Sequence, residues 1–281
     1  MVPGAQGPVL RAGVLGSPIA HSLSPVMHRA AYAHLGLSDW TYDRRECEAA
    51  ELPALVAGLD ESWRGLSLTM PLKEAALALA TTVDPVAESV GGANTLVRRP
   101  DLGWDAYNTD VHGVRQALAD HRVTSARHVL VLGSGATARS ALAAVRELGA
   151  RTVAFGIRSE VRPETGDLLD ELGVAWSAHP LDEVNALVRD ADLVIDTLPG
   201  RGADAVAAQL ADVPRLPALF EAIYEDWPTT LARTFAATGA PVVSGLEMLA
   251  HQGALQVELM TGRPVPASVL LDAASGAWTG R

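Results

Sequence analysis

Apolar and polar positions alternate along this chain with two periods. Short apolar runs bounded by Gly, Pro or Asn predict strands over Ala12–Gly16, Trp40–Glu46, Gly65–Met70, Ala93–Arg99 and Gly103–Tyr107. Helical spacing follows Ser24-Pro25, with Ser24 expected as N-cap, and recurs over Glu51–Leu59 and Leu72–Ala80. A helix over Val111–Ala119, with Asp110 as its N-cap, leads into a second series of strands. These are the run ending at Leu132, then Thr152–Ile157, Val174–Ser177, Leu193–Leu198, Ala218–Tyr224 and Pro241–Val243. A long apolar-periodic helix, Leu246–Gly262, comes last. Strands alternating with helices imply an α/β protein.

One glycine turn divides that pattern. Val129-Leu130-Val131-Leu132 runs into Gly133-Ser134-Gly135-Ala136-Thr137-Ala138, a G-x-G-x-x-A sequence with a strand before it and a helix after it. Such a turn lets backbone approach a pyrophosphate at a helix N-terminus. Roughly a hundred residues precede it, about enough for a small domain of their own. The expected organisation is therefore an N-terminal α/β domain over 1–110 and a Rossmann-type, doubly wound dinucleotide-binding domain over 111–243. Helices over 244–281 are expected to return to the first domain. At the end of the strand after the turn, dinucleotide folds that use NAD place a carboxylate. Here Arg158-Ser159 stands instead, with Glu160 beside it. A guanidinium and a hydroxyl suit a 2′-phosphate, so the expected cofactor is NADP(H).

Composition narrows the classes. Of 281 residues, 48% are hydrophobic and 20% charged, as in ordinary globular enzymes. A net charge of −11 argues against a nucleic-acid or anionic-membrane partner and leaves a small-molecule substrate. Cys47 is the single cysteine, so neither an intrachain disulfide nor a metal site is expected. Met1–Arg11 has no apolar leader run, no stretch is long enough to span a membrane, and a reduced cytoplasmic setting is the expectation. The chain is expected to be a monomer or a homodimer.

The first hundred residues carry short polar groupings. Ser22 and Ser24 flank Leu23, and alternate residues of an extended loop point the same way. Thr69 ends a strand and Lys73 follows it, at a helix start where cations are disfavoured. Asn94-Thr95 and Asn108-Thr109-Asp110 end further strands or loops. Each grouping alone is compatible with capping or turn chemistry. Together, beside a dinucleotide fold, they outline a small-molecule site.

Gly16-Ser17-Pro18-Ile19-Ala20-His21-Ser22-Leu23-Ser24-Pro25 resembles the N-terminal substrate loop of shikimate dehydrogenases. Leu68-Thr69-Met70-Pro71-Leu72-Lys73 resembles that family's lysine motif, and Gly92-Ala93-Asn94-Thr95 and Asn108-Thr109-Asp110 its next two. Tyr224-Glu225-Asp226-Trp227-Pro228-Thr229 and Gly245-Leu246-Glu247-Met248-Leu249-Ala250-His251-Gln252 correspond near the C-terminus. The resemblance implies that Ser22, Ser24, Thr69, Asn94, Tyr224 and Gln252 hold the substrate and that Lys73 and Asp110 are the catalytic pair. It further implies that Gly133, Ser134, Gly135, Ala136 and Thr137 bind the pyrophosphate. Arg158 and Ser159 would bind the 2′-phosphate, and Gly245 and Met248 would lie near the nicotinamide. Ser67, Asp196, Glu221 and Asp226 depart from residues frequent in the family.

The implied reaction is the reversible reduction of 3-dehydroshikimate to shikimate by NADPH, in aromatic amino-acid (chorismate) biosynthesis. Lys73 would give the proton in reduction and accept it in oxidation. A quinate/shikimate or aminoshikimate dehydrogenase is the alternative within the family. A non-catalytic sensor of NADP(H) or of a shikimate-pathway acid is the alternative outside it.

Overall fold

A computed structural model of the chain describes residues 9–224 and 226–278. Glu225 of the late motif and most of Met1–Arg11 lie outside the described residues. Contacts divide the chain into two units, Met1–Thr109 with Ala250–Arg281, and Asp110–Leu249.

The first unit begins with β1 (Leu10–Gly16), α1 (Ser24–Leu35), β2 (Trp40–Glu46), α2 (Leu52–Ala57) and β3 (Trp63–Leu68). It continues with β4 (Thr82–Val83), α3 (Pro85–Ser89), β5 (Thr95–Arg98) and β6 (Trp104–Tyr107). Its six strands lie in the order β2-β1-β3-β5-β6-β4. β1 runs parallel to β2 and β3, whereas β5 is antiparallel to both neighbours. One face packs Leu15, Leu52, Leu66, Leu68, Leu72 and Leu96 into a closed core. Cys47 joins that core one residue past β2, and burial pushes its thiol pKa up, away from nucleophile chemistry.

Two local expectations give way here. Ser24 is the first residue of α1 and Leu23 occupies the cap position without a side-chain bond. Pro25 tolerates either register, and the Ser22 hydroxyl accepts the Ser24 N–H at 3.3 Å. Leu72–Ala80 forms only a 3₁₀ turn over Ala75–Leu79. The Lys73 carbonyl accepts Ala93 N–H at 2.8 Å, so Leu77 N–H turns to Glu74 instead. Lys73 therefore precedes the turn and sits in no helix.

The second unit runs α4 (Asp110–Asp120), β7 (His128–Leu132), α5 (Ala136–Glu147), β8 (Thr152–Ile157), α6 (Pro163–Glu171) and β9 (Ala175–Pro180). Then come α7 (Val184–Leu187), β10 (Leu193–Asp196), α8 (Asp204–Leu210), β11 (Ala218–Glu221), α9 (Thr230–Ala237) and β12 (Val242–Ser244). Asp110 is the first residue of α4 rather than its cap, so its carboxyl belongs to the first turn. The six strands, all parallel, lie in the order β12-β11-β10-β7-β8-β9. Counted from β7, this is the 3-2-1-4-5-6 order of dinucleotide folds, with its reversal between β7 and β10. β10 is buried at every position, as a strand covered on both faces must be.

Two helices close the chain, α10 (Gly245–Thr261) and α11 (Ala267–Trp278). Ser244 and Glu247 form a reciprocal cap at the start of α10, with the Ser244 N–H reaching Glu247 Oε2 at 2.8 Å and the Glu247 N–H reaching Ser244 Oγ at 3.3 Å. From Ala250 the helix belongs to the first unit, where α11 packs on α1. A Cβ on Gly253 would lie 2.9 Å from Leu270 Cδ2, so glycine sets the close approach of α10 and α11.

Candidate active site

In the first unit the strand order reverses across β1, and the loops after β1 and β3 meet there. Ser17 N–H donates to Met70 O at 2.9 Å and Thr69 N–H to Leu15 O at 3.0 Å. A Cβ on Gly16 would overlap the Thr69 methyl and lie 2.9 Å from Met70 O. Only glycine permits this crossing, which places the loop carrying Ser22 and Ser24 beside the one carrying Thr69 and Lys73. Such a crevice at the carboxyl ends of strands is where open α/β sheets bind ligands.

Asn94 anchors the other side. Leu68 N–H donates to its carbonyl at 2.7 Å, and Lys73 is tied to Ala93 as described above. The Asn94 side chain is buried. Its Oδ1 accepts the Thr109 N–H at 2.8 Å and the Thr95 hydroxyl at 2.9 Å. Its Nδ2 donates to Thr109 Oγ1 at 2.9 Å and Gln252 Oε1 at 3.2 Å. Asn108 Nδ2 donates to Gly92 O at 2.8 Å and pins the next turn. Asp110 is buried and follows Thr109 in the chain as the first residue of the second unit. The first unit thus gathers Asn94, Thr109 and Gln252 through side chains, and Thr69 and Lys73 through backbone.

Lys73 has a further distinction that the motif analysis passed over. It is the chain's single lysine, every other residue of the 22 Lys+Arg being arginine. An arginine serves any site that needs fixed charge, but it does not release its proton in a protein. Lysine kept at one position therefore points to proton transfer there. Gln256 and Tyr42 were also passed over. Gln256 stands one helical turn after Gln252, so a face of α10 carries two amides.

The second unit holds the glycine turn. Gly133 has φ +97°, and a Cβ there would lie 2.7 Å from Thr197 Oγ1. Thr197 donates to Leu132 O through both N–H, at 2.9 Å, and Oγ1, at 3.0 Å, which ties the β10 loop across the strand reversal. Gly135 precedes α5 in extended conformation, and a Cβ added there would meet nothing within 4 Å. Open space thus faces the α5 N-terminus, where Ala136 and Thr137 contribute unpaired-ladder N–H groups and the helix dipole favours an anion. Ser134 is tied to the start of α6: its Oγ accepts Arg162 N–H at 3.2 Å and its carbonyl accepts the Thr165 hydroxyl at 2.7 Å.

Arg158 follows β8 immediately and is exposed, with Ser159 exposed beside it. Its Nη2 lies 3.5 Å from Gly202 O, leaving most of the guanidinium's donors directed to solvent. These residues fit a pyrophosphate and a 2′-phosphate. A Cβ on Gly245 would overlap the Ala222 carbonyl, so glycine is required where α10 starts beside the end of β11. Met248 is buried in the first turn of α10, and Tyr224 is half-buried between β11 and α9.

Asp196 and Glu221 end neighbouring strands as register partners, and both are fully buried. Asp196 Oδ1 accepts Leu198 N–H at 3.0 Å, but among the described residues no N–H or O–H reaches Oδ2. Glu221 accepts the Thr229 hydroxyl at 2.7 Å. Burial raises the Asp196 pKa to about 8, and the Glu221 carboxyl adds to the rise. Burial also raises Glu221, held back by the Thr229 and Asp196 hydrogen bonds. A proton on Asp196 gives the pair the donor that two carboxylates lack. Among the described residues no His/Cys/Asp/Glu group could hold a metal ion, and no helix is long and apolar enough to cross a membrane.

Family comparisons agree with this geometry. Residues 14–96 match the shikimate dehydrogenase substrate binding domain, and residues 245–274 match the shikimate 5′-dehydrogenase C-terminal domain. Residues 103–210 match the C-terminal domain of alanine dehydrogenase/PNT. The chain is 34% identical to a shikimate dehydrogenase (NADP(+)) of Thermosynechococcus vestitus, covering 97% of each. A crystal structure of Mycobacterium tuberculosis shikimate dehydrogenase is 45% identical with a TM-score of 0.85, over 95% of this chain and 99% of that one. The Thermus thermophilus enzyme, solved with NADP(H) and shikimate, is 34% identical with a TM-score of 0.82, over the same shares.

Proposed function

The chain belongs to the shikimate dehydrogenase family, and on that premise we propose that it catalyses the NADP(H)-dependent reversible reduction of 3-dehydroshikimate to shikimate. The observation that carries this reading is the Asn94–Thr109–Gln252 cluster, buried beside the segment that bears the only lysine. A site built from amides and hydroxyls selects a ligand with several hydroxyls, because an analogue lacking one leaves a buried polar group unpaired.

Ser22, Ser24, Thr69, Asn94, Tyr224 and Gln252 are assigned to the substrate's hydroxyls and carboxylate. NADPH, when bound, supplies the hydride, with Gly133–Thr137 assigned to its pyrophosphate, Arg158 and Ser159 to its 2′-phosphate, and Gly245 and Met248 to the nicotinamide side. In reduction the Lys73 ammonium gives its proton to the carbonyl oxygen. In oxidation the neutral amine takes the hydroxyl proton. Asp110 is assigned as the carboxylate that orients that lysine.

The test is a matrix of NADP⁺ and NAD⁺ against shikimate, quinate and aminoshikimate, followed by cofactor absorbance. Turnover fastest with NADP⁺ and shikimate is expected. Faster turnover with quinate or with NAD⁺ would reassign the substrate or the cofactor, and silence throughout would leave a sensor.

A further inference from the structure

A second row of buried polar groups lies behind Asn94, all of it within the first unit. The Tyr42 hydroxyl donates to Ser67 Oγ at 2.6 Å, and the Ser67 hydroxyl donates to Gln256 Oε1 at 2.7 Å. Gln256 Nε2 donates to Thr95 Oγ1 at 2.9 Å and to Asn94 O at 3.2 Å. The Thr95 hydroxyl then donates to Asn94 Oδ1.

The direction of this row is fixed by main-chain groups. A carbonyl such as Asn94 O only accepts, so the Gln256 atom against it is the NH₂. Gln256 Oε1 must then face Ser67, which spends its one proton there and needs Tyr42 to donate. Thr95 receives from Gln256 and so gives its proton to Asn94. The Thr109 N–H only donates, so the Asn94 atom against it is Oδ1. Both ends therefore agree on which way the Asn94 amide points, with Nδ2 on the side of Thr109 Oγ1 and Gln252.

Tyr42 is placed for this role. It is the one buried residue of β2, whose other side chains are half-buried or exposed. His28 stacks on its ring at 3.9 Å between centroids. Burial pushes the phenol pKa upward, so it stays a donor. The row thus links Tyr42 of β2 to Asn94, a residue assigned to the substrate.

We infer that Tyr42, Ser67 and Gln256 are positioning residues that hold the Asn94 amide in one orientation, Oδ1 against Thr95 and the Thr109 N–H and Nδ2 against Thr109 Oγ1 and Gln252, and so keep the substrate-holding cluster in one arrangement. Ser67 is one of the departures from the family pattern, and here its hydroxyl is spent on Tyr42 and Gln256 rather than on a ligand. The inference rests on the assignment of Asn94 to shikimate under the proposed function.

The experiment is steady-state shikimate oxidation, with both substrates varied, by the wild-type chain and by Tyr42→Phe, Ser67→Ala and Ser67→Thr. Breaking one link should raise the shikimate KM about 3- to 10-fold in Tyr42→Phe and Ser67→Ala, the size of one lost hydrogen bond, and leave the NADP⁺ KM unchanged. Ser67→Thr keeps the hydroxyl and should restore the shikimate KM. An unchanged shikimate KM in folded variants, a parallel rise in both KM values, or no rescue by Ser67→Thr would overturn the inference. Tyr42→Phe removes a single oxygen and decides the matter if Ser67→Ala does not fold. A wild-type chain that never oxidises shikimate would remove the functional reading itself, a result separate from active variants with unchanged KM.

Discussion

Asp196 and Glu221 face each other across β10 and β11 as register partners, with two buried carboxyls and one N–H and one hydroxyl to serve them. Asp196 stays protonated in the fold up to about pH 8, whereas in the unfolded chain it ionises near its ordinary value of 3.8. The folded state thus binds a proton that the unfolded state has released, and this pair's contribution to stability falls as pH rises through that window. Asp196→Asn keeps an oxygen for Leu198 N–H and offers Glu221 a permanent donor. Thermal unfolding should show the variant matching wild type near pH 5 and exceeding it by roughly 1–3 kcal/mol near pH 8. A gap that does not change between the two pH values would exclude the shared proton.

Lys73 stands alone as a lysine, which makes its chemistry separable from its charge. Lys73→Arg keeps a cation on the same loop but removes the proton that can leave. Turnover should fall about 10²- to 10⁴-fold in both Lys73→Arg and Lys73→Ala, the usual worth of a positioned acid–base group. NADPH affinity, read by fluorescence titration, should not move. If Lys73→Arg turned over near the wild-type rate, the lysine would be an electrostatic anchor only.

The doubly wound unit was legible because its signals are local. Thr152–Ile157 is a strand with the bounds its apolar pattern predicts, and the glycine turn and Arg158 follow their strands directly. The losses have non-local causes. Leu72–Ala80 has helical spacing, but a bond from Ala93 takes the carbonyl of Lys73 and tightens the segment into a 3₁₀ turn. Tyr42 and Gln256 meet at Ser67 across 25 and 189 positions of sequence, and no window of residues contains that meeting. The capping expectations for Ser24 and Asp110 failed by one residue each, the scale on which helix ends are set by neighbours rather than propensity.

Arg158 tests the choice of nucleotide. Its exposed guanidinium ends β8 where a carboxylate would exclude a 2′-phosphate. Arg158→Ala removes a charge-assisted contact and should raise the NADPH KM about 10- to 100-fold. The NADH rate should stay within about twofold because NADH has no 2′-phosphate to lose. Equal losses with the two cofactors would place Arg158 in the fold rather than against the phosphate.

Gly133 and Gly135 flank one serine, yet they are glycines for different reasons, and one pair of substitutions separates them. Gly133 needs both its positive φ and its missing Cβ, because a methyl there meets Thr197 Oγ1 at 2.7 Å. Gly133→Ala should therefore cost about 1–3 kcal/mol of stability and lower the melting temperature by several degrees. Gly135 has φ −84° and ψ −172°, which alanine adopts freely, and its Cβ would meet none of the described residues within 4 Å. Gly135→Ala should melt with wild type. The added methyl nonetheless enters the space before the α5 N-terminus, where the pyrophosphate is assigned. Its effect should appear as a rise of about tenfold or more in the KM for NADP⁺, with the KM for shikimate unchanged. Wild-type NADP⁺ kinetics in Gly135→Ala would mean that the cofactor does not approach this turn, whatever the strand order around it suggests.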